Sequence, residues 1–399
     1  MTTRIMKAIA FTAILCALLS APVDAQVLDS SRTPGMEVFT IRSKILDENR
    51  KIRVRVPAGG DEFTSYPVLY VLDGEALADL VAAQVQYLSE SYKIIPNLIV
   101  VGIDNTDRMR DLTPSHTDLG PDGKVDTSAR SPFRNSGGGE KFLKFIKEEV
   151  MPFVSSRYNT APYSILSGHS LGALMAVYCL MNHPGYFNAY IAISPSFQWD
   201  DGNLLKQVAA TNFDKEKNRV LFFSDANEDA AFHQNQLTFD SLLREKTTDL
   251  KVKRMFYPEE THISEPVKAF YDGIRFVYPG WHLPFNSSAF RKVLNSKIVK
   301  EQYAKLSKQY GYEVVPPHDE MIMIARFLRN DPERINDAVD LLQYASAYYT
   351  NSPALWETLG DTWLRMQKKE EAAQSYKNAL RLHPDDAGLK QKMEQTEAQ

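Results

Sequence analysis

Gly168-His169-Ser170-Leu171-Gly172 constrains the fold more than any other stretch of this chain. The β-prone run Tyr163-Ser164-Ile165-Leu166 leads into it, and Ala173-Leu174-Met175-Ala176-Val177-Tyr178 leads out with helical character. A serine between strand and helix, flanked by glycines, predicts a tight turn that pushes its hydroxyl out of the backbone. The helix N-terminus behind it favours developing negative charge. Side chains at the glycine positions would clash in so sharp a turn. Ser170 is therefore the candidate nucleophile.

The surrounding pattern supplies the sheet. Strand segments are expected at 38–42, 53–56, 68–72, 98–103, 164–166, 190–193, 220–223 and 252–257. The first two alternate apolar and polar residues, which suits an antiparallel start. The later ones are continuous apolar runs separated by helical segments, the mark of a largely parallel sheet covered on both faces. A serine turn after the fifth of eight strands is the α/β-hydrolase arrangement. The expected fold is thus a mostly parallel, eight-stranded α/β sheet flanked by helices.

In such a sheet the site forms at the C-terminal strand ends, and the catalytic order is nucleophile, acid, histidine. His262 follows the last strand directly and is the candidate base. His116 precedes the serine, His169 lies inside the turn, and His183 and His233 suit helix ends or the surface. His282, His318 and His383 lie too far along the chain. The acid should follow the preceding strand, where Asp225, Glu228 and Asp229 compete. Spacing alone does not choose among them. An oxyanion hole needs two backbone N–H groups. Leu171 supplies one, and the turn after the third strand supplies the other from Gly74 or Glu75.

The chain begins with a positive Arg4 and Lys7, an apolar run over 8–21 and Val23-Asp24-Ala25, so residues 1–25 read as a signal peptide. Export to a periplasm or beyond is expected. Of the two cysteines, Cys16 would leave with the signal and Cys179 would remain as a small core residue. The net charge of −4 and the lack of a basic patch with aromatics argue against nucleic acid. No second long apolar stretch predicts a membrane span in the mature chain. No His/Cys cluster or EF-hand pattern predicts a metal, and no cofactor is expected.

Five blocks recur in order: Tyr70-Val71-Leu72-Asp73-Gly74, residues 101–114, residues 137–142, residues 168–172 and Ile193-Ser194-Pro195-Ser196. Through them, residues 36–278 resemble the esterase D-like, "putative esterase" branch of the α/β-hydrolases. That branch includes siderophore trilactone esterases, feruloyl and acetyl-xylan esterases, mycolyltransferases and S-formylglutathione hydrolase. The resemblance implies a serine carboxylesterase acting on a small-molecule ester. In its siderophore-esterase-like members the acid is a glutamate a few residues past the strand, which implies Glu228 over Asp225. The long excursion 105–139 carries Arg108 and Arg110, which either meet an anionic or catecholate substrate or pair with Asp107 and Asp111 to hold the loop. Trp199 either walls the pocket or covers the core.

After a linker over 278–284 the composition turns helical. The domains are therefore expected at 26–284 and 285–399. Trp356-Glu357-Thr358-Leu359-Gly360, followed by Ala372, Tyr376 and Ala379, resembles a tetratricopeptide repeat. Ala338 and Ala345 match Ala372 and Ala379 at an offset of 34. Such helices bind a protein partner, mediate self-association or dock on the first domain. The alternative to an ester hydrolase is a non-catalytic envelope scaffold that works through this region.

Overall fold

The computed structural model describes residues 26–33, 35–58, 64–120, 123–183, 185–210, 219–246 and 249–398. The expected signal peptide at 1–25 lies outside the described residues. The chain divides into two compact units, residues 1–279 and residues 280–399.

The first unit is built on one sheet of nine strands, one more than the sequence suggests. They are β1 Gln26–Thr33, β2 Met36–Ser43, β3 Glu48–Arg55, β4 Tyr66–Leu72, β5 Ile99–Ile103, β6 Thr160–His169, β7 Ala189–Ile193, β8 Val220–Ala226 and β9 Lys251–Tyr257. Their spatial order is β1-β2-β3-β5-β4-β6-β7-β8-β9. β1, β2 and β3 pair antiparallel, β3 joins β5 antiparallel, and every later pairing is parallel. The extra strand is β1. Its sequence QVLDSSRT carries no apolar alternation. An edge strand is held by backbone bonds to a single neighbour, so it needs no such pattern.

The central strands β4, β5 and β7 are buried at every position. Helices on both faces explain this. On one face, Tyr190, Ala192, Leu221 and Phe223 share a core with α3 Gly139–Phe145, α4 Met151–Ser155, α5 Leu171–Asn182, α6 Trp199–Ala210 and α7 Ala230–Lys246. The alternate side chains face the other way, because strand side chains switch sides at each step. There a Cβ on Gly273 of α8 Glu265–Val277 would sit 2.9 Å from Ile191 and Phe222. Ala78 of α1 Gly74–Gln86 packs against Gly102 of β5 on that same face, where a Cβ would come within 2.5 Å of it. α2 is the short turn Arg108–Asp111.

The second unit is all-helical: α9 Ser288–Val293, α10 Ser296–Tyr310, α11 His318–Leu328, α12 Ile335–Ser346, α13 Pro353–Arg365, α14 Lys369–Leu382 and α15 Ala387–Ala398. From α11 onward each helix packs on the next. Ala338, Ala345, Ala372 and Ala379 are all fully buried. Gly360 lets α13 approach α14, since a Cβ there would meet the Tyr376 ring at 2.6 Å.

Candidate active site

Ser170 sits between the end of β6 and the first turn of α5, with φ +59° and ψ −117°. A residue with a Cβ rarely adopts this conformation, and strain of this kind gathers at working sites. The flanking sequence enforces it. A Cβ on Gly168 would lie 2.3 Å from the Gly172 carbonyl carbon. The Ser170 N–H donates to Ile193 O at 2.9 Å, and the Ser170 carbonyl accepts from Leu174 N–H at 3.0 Å. The hydroxyl is thus held at the tip of a fixed turn.

The candidate acid and base follow the ends of β8 and β9, past the intervening β7. Asn227 N–H donates to Glu260 O at 2.9 Å and ties the loop after β8 to the loop after β9. The turn carrying His262 is pinned by Thr261 and Ser264, whose backbone and hydroxyl groups bond each other. Glu228 Oε2 lies 3.0 Å from His262 Nδ1. The approach is off the line of a good hydrogen bond. Asp225, the competing acid, is fully buried and committed elsewhere. Its carboxylate takes Arg254 at 2.7 Å and His233 Nδ1. His233 is therefore a partner of Asp225 and not a free surface residue.

The His262 ring packs on His169, the residue before the nucleophile, with ring centroids 4.4 Å apart, and Phe232 meets it edge-on at 5.8 Å. His169 is pushed down to about 4, first by burial and then by the neighbouring His262. It is thus neutral near pH 7 and makes an uncharged wall for the base. Ser170 Oγ makes its hydrogen bond to Ser196 Oγ, at 3.1 Å, and not to His262.

The two oxyanion candidates lie side by side. A Cβ on Gly172 would come 3.3 Å from Asp73 Oδ2 and 3.4 Å from Leu72 Cβ, so the serine turn packs on the turn after β4. Asp73 takes a left-handed conformation, φ +55°, and Gly74 lies so close to β5 that a Cβ would meet Ile103 N at 2.5 Å. Gly74, Glu75 and Leu171 are first-turn residues of their helices, and N–H groups there have no acceptor within the helix. The Glu75 carboxylate accepts from Asn105, which also donates to Asp73 at 2.7 Å.

Arg108 and Arg110 differ. Arg108 forks onto Asp73, at 2.7 and 3.0 Å, and stays partly exposed beside the serine turn. Arg110 pairs with Glu48 and Asp111, and Asp111 in turn holds the fully buried Arg50. Its guanidinium is spent on the loop scaffold. Asp107 caps α2 by accepting from Arg110 N–H. Trp199 is half-buried, donates to Ser115 O at 3.1 Å and meets Phe133 edge-on. Among the described residues, no group of three or more His, Cys, Asp or Glu is arranged to hold a metal ion.

Ser196, Ser194, Glu265 and His169 also belong to this cluster, and sequence reasoning gave none of them a role. The one sequence signal for Ser194 and Ser196 is their place in the block Ile193-Ser194-Pro195-Ser196, which the family resemblance covers.

The arrangement has relatives. The "Putative esterase" family model matches residues 43–282. Ferri-bacillibactin esterase BesA of Bacillus subtilis strain 168 is 29% identical over 188 residues, covering 44% of this chain and 63% of its own. The siderophore enterobactin esterase of Emericella nidulans is 33% identical over 155 residues, 35% of this chain and 49% of its own. The alignments thus span about half to three fifths of these relatives. An IroE-like serine hydrolase from Shewanella oneidensis superposes with a TM-score of 0.64 at 27% identity, covering 87% of this chain and 99% of that one. No helix among the described residues is long and apolar enough to cross a membrane. With its mostly parallel α/β sheet and a family match over more than half its length, the chain belongs to the esterase family of the α/β-hydrolase type.

Proposed function

We propose that this chain is a serine carboxylic-ester hydrolase that cleaves siderophore-type esters through an acyl-enzyme on Ser170. The observation that carries the reading is a serine held at φ +59° whose neighbour His169 packs on His262, with His262 Nδ1 3.0 Å from a carboxylate. The named activities of the relatives support the substrate class. Ser170 Oγ attacks the ester carbonyl while His262 Nε2 takes its proton. Glu228 orients the ring and stabilises the imidazolium. The oxyanion is received by the N–H of Leu171 and that of Gly74 or Glu75. His262 then protonates the departing alkoxide, and water repeats the sequence to release the acid and free Ser170. Arg108 and Trp199 border the substrate, and the charge and planarity of the guanidinium suit a catecholate or carboxylate.

Residues 1–25 are read as a cleaved signal, so the enzyme works in the periplasm or outside the cell. Residues 285–399 are read as a tetratricopeptide-like domain that takes a protein partner or a second copy. The buried alanines at the 34-residue offset support this. The test is hydrolysis of p-nitrophenyl butyrate and of a catecholate trilactone by wild type and Ser170→Ala. Loss of both activities in the variant is expected; equal rates end the proposal.

A further inference from the structure

We infer that Glu265 is a positioning residue, a neutral carboxyl group that donates to Ser194 and through it aims the Glu228 carboxylate at His262. The inference rests on the roles given above to Ser170, His262 and Glu228.

Ser194 directly follows β7, with φ +47°, and is fully buried. Its N–H is fixed by Ser224 O at 2.9 Å, which pins the residue. Its hydroxyl oxygen lies 2.7 Å from Glu228 Oε1 and also bonds Glu265 Oε2. A hydroxyl has one hydrogen, and an ionised carboxylate has none to give. Both contacts are full hydrogen bonds, each with its own hydrogen rather than one shared between two anions, only if one of the two carboxyl groups is protonated.

Glu265 is the protonated partner. It opens α8, has no exposed surface, and forms no ion pair among the described residues. Glu228 has His262 at 3.0 Å and is partly exposed. Asp225 has Arg254 and His233. The groups around Glu265 are Glu228, Asp225, the Ser194 and Ser224 hydroxyls, and the Tyr257 phenol, which donates to Asp272. None of them is a cation. Burial, and then the charges of Glu228 and Asp225, push Glu265 up to about 7 against the pull of the two serine hydroxyls. The direction of donation follows: Glu265 to Ser194, Ser194 to Glu228 Oε1, leaving Oε2 for the imidazole. No proton moves along this chain during turnover. It fixes the acid's orientation.

Ionising Glu265 leaves one hydroxyl hydrogen between two carboxylates. Glu228 then loses its anchor and gains a like charge as neighbour. Glu265→Gln keeps a neutral donor of nearly the same shape, whereas Glu265→Leu and Ser194→Ala remove the donor. Two measurements test this. The first is infrared difference spectroscopy at about pH 6 between Ser170→Ala and Ser170→Ala/Glu265→Gln protein. A protonated-carboxyl carbonyl band lost in the double variant is expected; its absence overturns the inference. This measurement needs no turnover, so it stands apart from any failure of the esterase reading. The second is the pH profile of kcat. Glu265→Gln should hold near-wild-type kcat at neutral pH and lose the alkaline decline. Glu265→Leu should lower kcat about 10- to 100-fold at unchanged KM, as a misaimed base does. If the leucine variant fails to fold, Ser194→Ala gives the same reading. An alkaline decline that persists in Glu265→Gln, or a donor-less variant with wild-type kcat, overturns the inference.

Discussion

Replacing Ser170 by glycine should abolish activity and leave a more stable protein than replacing it by alanine. The backbone at Ser170, φ +59° and ψ −117°, is the first central position of a type II′ turn, which glycine favours. Holding a residue with a Cβ there costs of order 1–3 kcal/mol. Both substitutions delete the hydroxyl and its 3.1 Å bond to Ser196. That loss, about 1 kcal/mol, cancels in the comparison. Alanine keeps the strain and glycine releases it. The looser unfolded chain of the glycine variant offsets roughly 0.4–1 kcal/mol of the gain. Ser170→Gly should therefore exceed Ser170→Ala by about 1 kcal/mol, or roughly 2–4 °C in Tm for a unit of this size. Calorimetry on the two purified variants under one condition reads the difference. A glycine variant equal to or less stable than the alanine variant would refute the argument that the turn stores strain.

Four further outcomes are expected. Glu228→Gln should lower kcat by about 10²–10⁴ with little change in KM, because the imidazole loses its orienting charge. Asp225→Asn should instead lower Tm while sparing kcat, since it strands Arg254 and His233; steady-state kinetics and melting curves on both variants separate the roles. The Glu265 carboxyl is raised from 4.5 to about 7, first by burial. Folding favours its neutral form, so its contribution is complete below about pH 4.5 and is lost as the pH rises through 7. The difference is on the order of 3 kcal/mol. Urea midpoints of wild type should thus fall relative to Glu265→Gln across that interval, and a constant offset counts against the assignment. Gly360→Ala should cost the helical unit about 1–3 kcal/mol by driving a methyl into Tyr376, with ester hydrolysis unchanged.

The readable parts of this site are the ones whose chemistry is local. The serine turn could be read because its glycines and its strand-to-helix context lie within a dozen residues. The position of His262, next to Glu228 past the end of β9, follows from the rule that loops leaving the C-terminal strand ends lie together. The choice between Asp225 and Glu228 was not readable from spacing. It depends on which carboxylate meets Arg254 on the neighbouring strand, and that is a matter of sheet register. Arg108 and Arg110 show the same limit. The sequence offered Asp107 and Asp111 as local partners. Arg110 takes Asp111 but also Glu48, and Arg108 takes Asp73, 35 residues away. Ser194, Ser196 and Glu265 carry no motif of their own. Only the parallel alignment of β7, β8 and β9 brings them to one end of the sheet. β1 escaped notice because an edge strand advertises itself through its backbone, not through apolar side chains.

The most direct measurement is covalent capture with a p-nitrophenyl phosphonate ester, read by peptide mass spectrometry in wild type and His262→Ala. The expected result is one phosphonyl group on the Ser170 peptide, formed at least a hundredfold more slowly (roughly the general-base contribution) when the imidazole is gone. Labelling at another residue, or labelling of Ser170 at the same rate without His262, would contradict an activated serine at this turn.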